Sequence, residues 1–264
     1  PGLPPFTMNT DSLFSRDQTP FLIGSSAKAP RPMYKILDVP VPAIGKHDLQ
    51  SSGFYNGRYY VFHSHSIVQV FIRNGLEKEY KIRDGSLVHP NDAHFYKDTL
   101  WICDTNDAST PPIVKKLDIA SMSVVGTHDV NKPDWRTAAV SIESDSTLYA
   151  VAVENIPVKE RHQFLVRKYD YVSKTVLNEM LFPFDQYYVQ GCTLAANHLY
   201  VTTNNGGHAK TGKFIDINLE TNTIVDTIIF ENFGESEGLH TLWVNDQLNL
   251  LTGQYEGGLF RIVV

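Results

Sequence analysis

Leu100-Trp101-Ile102-Cys103-Asp104 is an apolar residue, an aromatic, and then an alternating run that ends on a carboxylate. Variants of its first three residues recur as Tyr59-Tyr60-Val61, Leu148-Tyr149-Ala150 and Leu199-Tyr200-Val201, and in weakened form as Leu248-Asn249-Leu250. Their central residues, 60, 101, 149, 200 and 249, are spaced by 41, 48, 51 and 49 residues. A period of that length in a strand-forming sequence marks a β-propeller blade rather than a helical repeat. Five copies predict an all-β, five-bladed β-propeller.

The intervening sequence divides into short strand-like runs bounded by turn residues. Four runs accompany each of the first four copies, from Ser51 to Ile82, Asp92 to His128, Thr137 to Phe182 and Gly191 to Phe230. The fifth copy has only three: Gly238 to Val244, Gln247 to Leu251 and Gly258 to Val264. Met33 to Val39 is a strand-like run left over at the other end. Its insertion beside the last run closes the ring and covers a sheet edge. Residues 33–264 therefore read as the propeller. Residues 1–32, with six prolines, read as an extended arm or linker. With no initiator Met and no signal pattern, the chain reads as a fragment, a domain or a processed form.

Composition excludes several function classes. The net charge of −6, without a Lys/Arg cluster, argues against nucleic-acid binding. No apolar stretch approaches the ~18 residues of a membrane span. Cys103 and Cys192 lie in apolar strand contexts and read as free, buried thiols.

Turn chemistry assigns the two faces. Asn56-Gly57, Lys97-Asp98, Ala196-Asn197, Asn245-Asp246 and Asn74-Gly75 are tight hairpin connections. The longer connections all fall on the opposite face, where a ligand site is expected. Ten residues before the aromatic, at the mouth of each innermost strand, stand Gln50, Asn91 and Gln190, with Thr137 and Glu237 as approximate equivalents. Together they would ring a central channel with polar groups. Around it, Trp135, Tyr188 and Tyr255 stand near Asn106, Asp107 and Asn204; aromatic faces beside amides and carboxylates suit sugars. His63 and His65 are spaced to share a zinc ion, although a solvated strand end accounts for them as well.

Two resemblances add to this. Pro90-Asn91-Asp92 followed by Leu100-Trp101-Ile102-Cys103-Asp104, together with Glu237-Gly238-Leu239, resembles the metal-binding strands of gluconolactonase and senescence-marker-like lactonases. That resemblance implies a divalent cation, most readily calcium, on Asn91, Asp92 and Glu237, with Asp92 and Glu237 as the candidate catalytic acids. Those enzymes have six blades, and Gln50 and Gln190 leave the set short of carboxylates. The size, blade number and preceding linker also resemble the propeller platforms of receptor-binding proteins in phages of Gram-positive bacteria. Such platforms imply glycan recognition, a trimeric assembly and an extracellular or virion-surface location. Glycan binding without a cofactor is the first expectation, a metal-dependent lactonase or hydrolase the second, and a protein-interaction platform the third.

Overall fold

The computed structural model of the protein describes residues 21–25, 30–44, 48–72, 75–82, 87–105, 111–205, 211–231, 233–255 and 257–264. The expectations for Asn74, Asn106 and Asp107, and for the first twenty residues of the arm, fall outside this set. Strands β1 (Phe21–Ser25) and β2 (Arg31–Asp38) come first. Three sets of four follow: β3 (Leu49–Tyr55), β4 (Arg58–His63), β5 (Ile67–Ile72), β6 (Gly75–Lys81); β7 (Pro90–Tyr96), β8 (Thr99–Asp104), β9 (Ile113–Asp118), β10 (Ser123–His128); and β11 (Trp135–Ile142), β12 (Thr147–Glu154), β13 (Gln163–Asp170), β14 (Thr175–Pro183). The last seven are β15 (Tyr188–Ala195), β16 (His198–Asn204), β17 (Thr211–Asn218), β18 (Thr223–Glu231), β19 (Ser236–Val244), β20 (Gln247–Gln254) and β21 (Gly258–Val263). Among the described residues, no helix is long and apolar enough to cross a membrane.

Each of the three sets forms its own four-stranded antiparallel sheet, while the remaining strands form a nine-stranded sheet in the order β15-β16-β17-β18-β1-β2-β21-β20-β19. The fold is all-β and propeller-like. The spare strand takes the expected place: β2 pairs with β21, with Met33 opposite Ile262. The arm reading of residues 1–32 needs correction, because β1 lies within it and β2 begins at Arg31. β1 pairs with β18 on one side and β2 on the other, so it covers two outer edges together. Its apolar Leu22-Ile23 pair sits among turn residues, which hid it as a strand.

The turns behave as their sequences dictate. Asn56 and Gly57 both have positive φ (48° and 77°), as do Asn245 and Asp246 (49° and 61°). That is the type I′ geometry whose twist matches the flanking strands.

The recurring aromatic is the packing residue between sheets. The Tyr60 ring lies 4.9 Å from that of Phe95 in the next sheet, and the Trp101 ring 4.9 Å from that of Tyr171. Tyr149 shares a buried cluster with Leu199 and Val201, and Tyr200 one with Leu250 and Phe260. At the fifth position Asn249 is buried, and its Oδ1 accepts from Arg261 Nη1 at 3.1 Å. Leu251 and Leu259 supply the apolar contact to Tyr59 and Val61 there. Cys103 and Cys192 are buried free thiols.

The first strands β3, β7, β11, β15 and β19 contact one another in a closed cycle. The approach is so tight that a Cβ on Gly191 would lie 2.5 Å from the Leu239 nitrogen and 2.6 Å from the Gly238 carbonyl carbon.

Candidate functional site at the channel mouth

Every first strand shifts register once, between Leu49 and Ser51, Pro90 and Asp92, Thr137 and Ala139, Val189 and Gly191, and Glu237 and His240. The extra residues are Gln50, Asn91, Ala138 and Gln190, with Gly238-Leu239 in the fifth strand. A bulge breaks the in-and-out alternation of a strand and re-aims the side chain it carries. The ten-residue count back from the aromatic thus locates these bulges, although in β11 the bulged residue is Ala138 and not Thr137.

The re-aimed side chains have two fates. Asn91 crosses the ring: its Nδ2 donates to the Ala138 carbonyl at 2.8 Å and to the Val189 carbonyl at 3.1 Å. Asp92 is fully buried, and its Oδ2 accepts the N–H groups of Val140 and Cys192, each at 3.1 Å. Burial drives its carboxyl well above the ordinary range despite those backbone donors. Both residues tie β7 to β11 and β15. These bonds are structural ties, and Asp92 Oδ1 remains buried without a hydrogen-bond partner.

Gln50 and Gln190 instead open onto the long-loop face. Together with Asp48, His89, Glu235, Glu237 and Tyr255 they line a cavity of about 280 Å³. Gln50 Nε2 donates to Asp48 Oδ1 at 2.7 Å, and Gln190 Nε2 to Glu235 Oε1 at 2.8 Å. Asp104 sets the position of His89. It accepts the N–H groups of Val88 and His89 (2.7 Å for the latter) and is paired with Lys115 at 2.6 Å. Tyr255 is anchored by its N–H to the Glu235 carbonyl at 3.0 Å.

Electrostatically the cavity is acidic, and among the described residues no Lys or Arg lines it. Glu237 is 2% exposed and its Oε2 has no hydrogen-bond partner. Burial, then the charges of Glu235 and Asp48, push its carboxyl well above the ordinary value. Burial holds His89 below its ordinary value and raises the Tyr255 hydroxyl, to which Asp48 adds. Deeper in the ring, the His94 and His240 rings lie 5.7 Å apart. Both are neutral, held down mainly by burial to about 3 and about 4.

Of the residues expected at a site, Gln50, Gln190, Glu237 and Tyr255 converge. Asn204 is buried, with its Nδ2 donating to the Ser236 carbonyl at 3.4 Å. Trp135 lines a separate depression with Asn131, Lys132 and Asn155. Tyr188 is exposed, under the Arg161 guanidinium at 5.8 Å. Of the three expected metal ligands, Asn91 Nδ2 and Asp92 Oδ2 are bonded to the backbone, Asp92 Oδ1 is buried without a partner, and Glu237 lines the cavity. Among the described residues, no three His, Cys, Asp or Glu side chains are grouped to hold a metal ion. His63 is neither a chelating residue nor a solvated strand end: it is buried, with Nε2 3.0 Å from Gln69 Oε1.

Sequence reasoning missed Asp48 and Glu235 and singled out His89 only as one of ten histidines. The available signal was spacing: they stand two residues before Gln50, Glu237 and Asn91.

No family model matches the chain, and no curated protein matches it in sequence. Solved structures do. Glutaminyl cyclase from Myxococcus xanthus has a TM-score of 0.55 at 10% identity, covering 88% of this chain and 97% of that one. The WD40 β-propeller domain of Doa1 has a TM-score of 0.49 at 12% identity, covering 89% of this chain and 74% of that one. At 10% identity the likeness to the glutaminyl cyclase concerns the fold alone.

Proposed function

We propose that the protein is a five-bladed propeller, with β2 completing the blade of β19, β20 and β21, that binds a glycan or a similarly small polar ligand at the channel mouth. One observation carries the proposal: Gln50, Gln190, Glu237 and Tyr255, from three different first strands and a loop, converge with Asp48, His89 and Glu235 in one cavity. Carboxylates and amides are partners for ring hydroxyls, and Tyr255 supplies the aromatic surface on which a sugar face rests. A glycan array probed with the intact protein tests this. Hits that are lost in Gln190→Ala support it, and an array without hits removes it. In its wider form the proposal makes the cavity a receptor-recognition site displayed by a trimer, which sedimentation of the full gene product checks.

A second reading is favoured by Glu237 itself. A carboxyl raised well above its ordinary value by burial is suited to general-acid work, so the same cavity would serve a hydrolase. Turnover of lactone or glycoside substrates that disappears in Glu237→Gln would establish it.

A further inference from the structure

The lining of the channel mouth is one-sided in its hydrogen bonding. Asp48, Glu235 and Glu237 bring three carboxyl groups to one small cavity, with no Lys or Arg among its described lining residues, although the Arg136 charge is felt at His89. The two glutamine NH2 groups already face carboxylates, Gln50 towards Asp48 and Gln190 towards Glu235. His89, neutral through burial, adds no positive charge. Glu237 Oε2 is buried and has no donor. A buried carboxyl oxygen without a partner is destabilising, and a ligand that supplies a donor relieves it.

We infer that this cavity recognises a protonated primary amine, and that its glycan ligand is an amino sugar rather than a neutral one. The inference rests on the channel mouth being the ligand site. An ammonium offers three N–H donors and no acceptor, the complement of this lining. It also suits the spacing better than a metal ion. N–H groups reach oxygens at about 2.8 Å, whereas calcium draws several oxygens to about 2.4 Å. Among the described residues no three acidic or histidine side chains are grouped so closely. A cation arriving beside Glu237 favours its ionised form. The carboxyl then releases its proton to the buffer, while the ammonium keeps its own.

Isothermal titration with glucosamine, glucose and N-acetylglucosamine, in two neutral buffers of unlike ionisation enthalpy, tests this. Glucosamine is expected to bind at least tenfold more tightly than either neutral sugar, with net proton release. Glu237→Gln, which keeps the shape and removes the charge, should abolish the proton release and weaken glucosamine at least tenfold. Glu235→Gln, nearer solvent, should weaken it without ending the release. Glucose binding as tightly as glucosamine overturns the inference and leaves the channel-mouth site standing. Calcium chloride binding at the cavity, with no response to glucosamine, overturns it in favour of a metal ion. Failure of all three sugars together with an empty glycan array removes both readings.

Discussion

Asp92 Oδ2 accepts the N–H of Cys192 at 3.1 Å, joining β7 to β15 across a ring of strands 100 residues apart in sequence. The same oxygen accepts the Val140 N–H from β11. One buried carboxyl therefore serves three strands of three different sheets. Asp92→Ala leaves two buried N–H groups without an acceptor, at about 1–3 kcal/mol each. Urea unfolding should show a loss of roughly 3 kcal/mol or more. A change below about 1 kcal/mol would show that the tie is dispensable.

Close approach of the strands makes a second prediction. In Gly238→Ala the added Cβ would meet Ser51 Oγ at 2.5 Å and the Ser52 nitrogen at 2.9 Å, from a backbone with φ of +68°. Gly191→Ala meets backbone atoms at 2.5 Å. Overpacking against yielding side chains costs about 1–3 kcal/mol; backbone yields less, so both variants should lie at or beyond the upper end, or fail to fold. Gly126→Ala, whose nearest neighbour would be 3.7 Å away, should melt within about 0.5 kcal/mol of the parent.

Glu237 sets a pH dependence whose sign follows from its burial. Its folded-state value lies well above the ordinary 4.5. The stability it contributes is complete below the ordinary value and is lost as pH rises through the folded value. Glu237→Gln removes that loss. Its melting temperature relative to the parent should therefore climb as pH rises above the ordinary 4.5, and a difference that narrows with rising pH would contradict the assignment.

The channel histidines act in the opposite sense. His240 is depressed to about 4 and His94 to about 3, by burial first and, for His94, by the charge of His240 next. Their contribution is present above the ordinary 6.5 and is lost as pH falls through the folded values. For His240 the full loss is on the order of 3 kcal/mol, at 1.36 kcal/mol per pH unit. His240→Gln should be less acid-sensitive than the parent when urea midpoints are compared near neutrality and near pH 4; parallel acid limbs would count against it.

The strands, the hairpin turns and the repeat were legible in the chain because each is a local property. Alternation, Asn-Gly chemistry and a recurring aromatic need no knowledge of the neighbouring sheet. The surplus of Met33 to Val39 over the deficit after Val264 was equally legible, since it needs only a count of strands. Only the tertiary structure distinguished Asn91 from Gln50 and Gln190, three polar residues at the same place in the repeat. Asn91 reaches carbonyls of β11 and β15 across the narrow axis, while the two glutamines turn outward to Asp48 and Glu235. That difference depends on distances between strands 47 to 98 residues apart, which no local pattern encodes. The recurring aromatic, for its part, is a spacer between sheets. Its sequence position found the channel mouth because the bulge lies a fixed number of residues before it in three of the five first strands.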